Sequence, residues 1–162
     1  MKRRRPMKKD MRRNEKAISR DECVQVLDTA EYGVLSTVST DGTPYGTPLN
    51  FVYCDGAVYF HCAPEGHKIE NIQHNSNACF NVVDSVVLMP EKFNTQYRSV
   101  TVFGTVAIVE DKKEKMTAIT SIAAKLSPAF AEEAAAYIKS AFDDIHILKL
   151  TIDHMTGKAT RE

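Results

Sequence analysis

The chain has 162 residues, 43% hydrophobic and 26% charged, the composition of one ordinary globular domain able to bury about two-thirds of its extended surface. No apolar run approaches 18 residues, and the basic start lacks the apolar stretch of a secretory signal, so a spanning helix is excluded and the cytoplasm is the expected location. Zero net charge hides an asymmetry: residues 1–13 carry eight Lys or Arg against one Asp, and the rest carries 13 basic against 20 acidic side chains.

Residues 1–18 read as a basic, flexible arm and residues 19–162 as a single domain. Such an arm could meet nucleic acid or anionic lipid, but no nucleic-acid motif elsewhere supports that partner. Contact with the acidic body, or simple solvation, is the plainer reading. Ser19 and Glu22 have the spacing of a capping box, and Cys23, Val26, Leu27 and Ala30 then share one face of a three-turn helix. Alternation predicts strands over residues 34–38, 43–53 and 57–62, joined at Thr40-Asp41-Gly42 and Asp55-Gly56. Pro44 and Pro48 mark the second of these as an edge or a bulge.

Residues 59–80 organise the chain. The strand ending at Cys62 gives way to Ala63-Pro64-Glu65-Gly66 and a short helix from His67 to His74, stopped by Asn75-Ser76-Asn77. A fourth strand is predicted over residues 78–84, a loop over 85–95, and a fifth strand over 97–110 in which Gly104 marks a bulge or a close backbone approach. Helices follow from Asp111 and after Ser127-Pro128, and a sixth strand over residues 145–152. Consecutive strands joined by tight turns indicate an antiparallel barrel or sandwich rather than a parallel sheet.

A helix start that follows glycine and carries His67 and Lys68 suits an anion, because its first backbone N–H groups lack partners within the helix and the dipole favours negative charge. The plainer alternative is a surface helix with a solvated lysine. His61, His67 and His74 are spaced six and seven apart, which does not bring three rings together, so no metal site is expected. Cys23, Cys54, Cys62 and Cys79 form no CxxC pair and read as free thiols. GxSxG is absent, as is a GxGxxG after a strand.

Several stretches in order carry a family resemblance: Met11-Arg12-Arg13, Gly33-Val34-Leu35-Ser36-Thr37, Asp41-Gly42-Thr43-Pro44-Tyr45 and Pro48-Leu49-Asn50-Phe51-Val52-Tyr53. They continue through Tyr59-Phe60-His61-Cys62-Ala63, Glu65-Gly66-His67-Lys68 with Asn71, Tyr97-Arg98-Ser99-Val100 and Phe103-Gly104. Over residues 11–158 the chain resembles the pyridoxamine 5′-phosphate oxidase-like flavoproteins, and more closely their nitroimidazole-resistance branch. The resemblance implies a mainly β fold, a six-stranded antiparallel Greek-key split β-barrel with flanking α-helices. It also implies flavin mononucleotide (FMN) held at the interface of a homodimer.

Carried over by position, Lys68 and His67 match the phosphate-binding basic pair, and His61 and Cys62 end the strand along the flavin. Asn50, Phe51 and Val52 match the strand whose backbone meets the isoalloxazine edge. Ser99 matches a polar position that faces flavin from the partner subunit. The family commonly has Arg at the position of His67 and a hydroxyl residue at that of Cys62. The implied activity is electron transfer from a reduced nicotinamide donor through FMN to a small acceptor such as a nitroaromatic, with His61 as the candidate catalytic proton donor. Oxidation of pyridoxamine phosphate is disfavoured, because the sequence lacks the basic C-terminal substrate segment of those enzymes. The alternative is a non-catalytic flavin, deazaflavin or haem binding protein of the same fold.

Overall fold

In the computed structural model, which describes residues 11–161, the capping box forms as its spacing requires. Ser19 accepts from the Glu22 N–H at 3.2 Å, and the Glu22 carboxylate accepts from the Ser19 N–H at 2.9 Å. Helix α1 (Arg20–Thr29) thereby starts with two of its orphan donors satisfied, and it buries Cys23, Val26 and Leu27. Of the basic arm, residues 1–10 lie outside the described residues. Asn14–Lys16 form a single 3-10 turn, and the following residues run beside the last strand, where the Ile18 N–H donates to the Gly157 carbonyl at 3.1 Å.

Seven antiparallel strands follow: β1 (Tyr32–Val38), β2 (Pro44–Asn50), β3 (Val52–Cys54), β4 (Ala57–Cys62), β5 (Asn77–Met89), β6 (Asn94–Ile108) and β7 (His146–Thr160). They form one sheet in the order β2-β1-β5-β6-β7-β4-β3. Its two edge strands are neighbours in the chain. Asn50 pairs with Tyr32 of β1 while Val52 pairs with Tyr59 of β4, and only Phe51 lies between them. One residue spans no more than about 3.6 Å, so the sheet must curl until its edges meet at Phe51. That is a split barrel.

The sequence reading counted six strands because it took residues 43–53 as one. The break falls at Phe51, not at the prolines. Pro44 and Pro48 sit within the edge strand β2, where a missing N–H costs no ladder bond on the open side. Two further differences have one cause, irregular pairing that hides a period of two. The register shifts between Asp84 and Val87, and Ser85 takes a left-handed conformation (φ 56°). Residues 85–95 therefore belong mostly to a long β5–β6 hairpin turned at Pro90–Lys92, not to a loop. On β7 the register shifts opposite Phe103 and Gly104, leaving Asp153 unmatched, and the strand continues to Thr160 instead of ending at residue 152.

The barrel interior is filled by Leu35, Phe51, Phe60, Phe80, Val82, Val100, Val102 and Leu150. The rings of Phe51 and Phe60 both meet Phe80 edge-on, with centroids 4.9 Å apart. Helices α2 (His67–His74), α3 (Lys112–Leu126) and α4 (Ala131–Ala141) complete the chain. A second core of Val52, Tyr59, Ile119, Ile122, Ile138 and Ile147 seats α3 and α4 on the outside of β3, β4 and β7. No helix among the described residues is long and apolar enough to cross a membrane.

Candidate cofactor site

The alternation along β4 decides where its side chains go. Val58, Phe60 and Cys62 point into the barrel core, and Ala57, Tyr59 and His61 point to the α3–α4 layer or to solvent. Gly66 then leads into α2 with φ 119°, a conformation that L side chains rarely adopt. Its carbonyl accepts from both Ile69 and Glu70 N–H, at 2.9 and 3.2 Å. The N–H groups of His67 and Lys68, ahead of these, are among the donors a helix start leaves unpaired.

Inward residues hold this helix start in place. Ile69 and Ile72 enter the core, and the buried Asn71 donates from Nδ2 to Thr37 Oγ1 at 3.0 Å, tying α2 to β1. Outward, His67 reaches the β1–β2 turn. Its Nε2 lies 2.8 Å from Ser39 Oγ, and its ring packs at 4.1 Å against Tyr45. Asp41 stands beside them. The Thr43 backbone N–H holds its carboxyl below the usual carboxylate range, and the nearby His67 acts in the same direction. Burial pushes the Cys62 thiol up, and the Lys68 ammonium opposes that push.

The expected site residues thus fall into separate groups within one protomer. Cys62 ends β4 with its thiol in the core, and His67 and Lys68 open α2 a few residues later. His61 is exposed on the other face of β4, where it borders an apolar cavity of about 350 Å³ with Ile119, Ile122, Leu126, Phe130 and Tyr137. Asn50 is exposed and donates from Nδ2 to the Glu31 carbonyl at 2.9 Å. Phe51 is fully buried under the Lys125 ammonium, 4.0 Å from its ring, and Val52 belongs to the α3–α4 core. Phe51 pairs in neither ladder, and the seam it closes is buried at that point, leaving the exposed Asn50 as the accessible residue beside it. Ser99 is half-buried on β6 opposite Val83 and Lys158, on the outer face of the sheet.

Ser39, Tyr45 and Thr47 were missed by sequence reasoning. Thr40-Asp41-Gly42 announced a turn but not what the turn would touch. Thr47 faces the same side of β2 as Tyr45, and its Oγ1 is buried with no hydrogen-bond partner. Two basic side chains and free helix N–H groups make a donor set that fits a phosphate ester. Among the described residues no three His, Cys, Asp or Glu side chains form a metal-binding group.

A family model for pyridoxamine 5′-phosphate oxidase matches residues 19–159. The chain belongs to that family. No curated protein sequence matches it. Among solved structures, a candidate 5-nitroimidazole antibiotic resistance protein from Bacteroides thetaiotaomicron is 26% identical, with a TM-score of 0.73 over 88% of this chain and 86% of that one. The flavocytochrome Anf3 from Azotobacter vinelandii superposes with a TM-score of 0.79 at 22% identity, over 94% of this chain and 73% of that one. A FAD-binding protein from Mesorhizobium loti gives 0.66 at 21% identity, over 90% and 96%. At those identities the last two show a shared fold. This member of the pyridoxamine 5′-phosphate oxidase family therefore has the split barrel expected of it.

Proposed function

We propose that this protein binds FMN and passes electrons from a reduced nicotinamide donor to a small acceptor such as a nitroaromatic. The observation that carries the reading is the succession of His67 and Lys68 at a helix start opened by Gly66, with His67 held against the β1–β2 turn. Family membership and the likeness to a nitroimidazole-resistance candidate support it. Lys68 and the first N–H groups of α2 hold the phosphate, with His67 as the second basic contact. The seam at Asn50, Phe51 and Val52 meets the isoalloxazine edge through its exposed member, Asn50. Ser99 serves the site of the partner subunit in a homodimer.

Bound flavin would supply the electron-transfer chemistry, and the protein would position it and exclude water. His61 borders the apolar cavity between β4 and the α3–α4 layer, which suits an apolar, planar acceptor and gives it one polar contact and proton donor. Cytoplasmic nicotinamide nucleotides would reduce the flavin.

The test loads purified protein with FMN and measures oxidation of reduced nicotinamide with and without a nitroimidazole. Acceptor-dependent oxidation is the expected result. FMN-loaded protein that shows none is a carrier or sensor. A sharp Soret band in the purified protein, with no saturable FMN binding, would establish the haem alternative.

A further inference from the structure

We propose that Ser39 and Tyr45, on the turn and strand between β1 and β2, are positioning residues that turn His67 toward the phosphate of the cofactor. This inference rests on the FMN reading and assigns it two residues. His67 is exposed at the first position of α2, where an imidazole has several rotamers and no packing of its own to choose among them. Two contacts make that choice here. Ser39 Oγ engages Nε2 at 2.8 Å, and the Tyr45 ring covers one face of the imidazole at 4.1 Å, tilted by 36°. Among the described residues Nδ1 has no hydrogen-bond partner, so it is the ring nitrogen left for a ligand.

The turn itself is fixed. Ser39 N–H donates to the Thr43 carbonyl at 2.9 Å, Gly42 N–H to the Ser39 carbonyl at 2.9 Å, and Thr43 N–H to Asp41 Oδ1 at 2.9 Å. A rigid turn docked on a rigid helix start restricts the ring before ligand arrives, which reduces the ordering that binding must supply. An arginine would reach a phosphate with its own fork of donors. Histidine is shorter and depends on orientation, and Ser39 and Tyr45 provide it. Orientation of this kind acts on the phosphate end of the ligand and leaves the ring system unaffected.

Binding of FMN and of riboflavin, which lacks the phosphate, separates these ends. Wild-type protein is titrated with both ligands, alongside Ser39→Ala, Ser39→Thr, Tyr45→Ala and Tyr45→Phe, with thermal unfolding of each variant as a control. Ser39→Ala and Tyr45→Ala should each weaken FMN by about threefold to tenfold, the value of one lost hydrogen bond or ring contact. Riboflavin binding should stay within about twofold, and Ser39→Thr and Tyr45→Phe should retain FMN affinity. Equal weakening of both ligands, or no weakening of FMN, would overturn the positioning role while leaving the FMN site standing. A wild type that does not prefer FMN to riboflavin would remove the phosphate reading and this inference with it.

Discussion

Replacing Gly104 by alanine tests the closure of the barrel. A Cβ built at Gly104 would lie 1.9 Å from the Thr151 carbonyl oxygen and 2.9 Å from its carbon, whereas real Cβ contacts stay beyond 3.0 Å. The backbones of β6 and β7 would have to part by about 1 Å at that point. Thr151 cannot yield easily, because β7 is paired with β4 on its other side and Ala57 bonds opposite the same residue. Overpacking of this kind costs about 1–3 kcal/mol, and each ladder bond stretched open adds about 0.5–1.5 kcal/mol. The expected loss is about 3 kcal/mol, a large fraction of a typical stability of about 5–15 kcal/mol. For a chain of this size it should lower Tm by about 6–12 °C.

Urea unfolding followed by circular dichroism measures the loss, at one protein concentration and without flavin, since ligand and partner both shift apparent stability. Gly42→Ala is the control. Gly42 has φ +88° with nothing within 4 Å of a built Cβ, so alanine there meets only left-handed strain of about 1 kcal/mol. Gly104→Ala no more damaging than Gly42→Ala would refute the close approach of β6 and β7.

Two more predictions concern the helical side of β4. Glu114 on α3 accepts from Lys149 Nζ at 2.6 Å and from the Tyr59 hydroxyl at 2.8 Å, and these bonds, Lys149 foremost, hold its carboxyl below the usual range. A carboxyl lowered by folding stabilises the protein above its unfolded value, and that contribution disappears as pH falls through the folded one. Urea midpoints taken from neutral to acid pH should therefore fall less steeply in Lys149→Met than in the wild type; identical slopes would contradict the pairing. His61→Ala should lower acceptor turnover by about a hundredfold while FMN affinity stays within about twofold, because His61 and Cys62 face opposite sides of β4. Steady-state kinetics and flavin titration on one preparation check both halves, and loss of FMN binding would place His61 at the cofactor instead.

The parts of the fold that were legible in the sequence are those written in local chemistry. Ser19 with Glu22, the turns at Asp41-Gly42 and Asp55-Gly56, the Gly66-His67 helix start and the close approach at Gly104 each declare themselves within a few residues. What escaped depends on partners remote in the chain. Phe51 is an unremarkable core residue until the two sheet edges are seen to meet there. The bulges at Ser85 and Asp153 shift the alternation by one residue, so strand continues where the pattern had seemed to end. At the site, Lys68 and His67 followed from the helix start, whereas Ser39 and Tyr45 lie on a turn and strand 22 to 28 residues earlier, and the stretch containing Tyr45 gave no sign of what that ring would touch.

The central claim is that a phosphate sits at Lys68. Titration of purified protein with FMN, followed by flavin absorbance, tests it most directly when run beside Lys68→Ala. The account predicts saturable binding by the wild type and a loss of tenfold or more in the variant, about 1.4 kcal/mol. Equal affinity in the two proteins, or no binding by either, would contradict it.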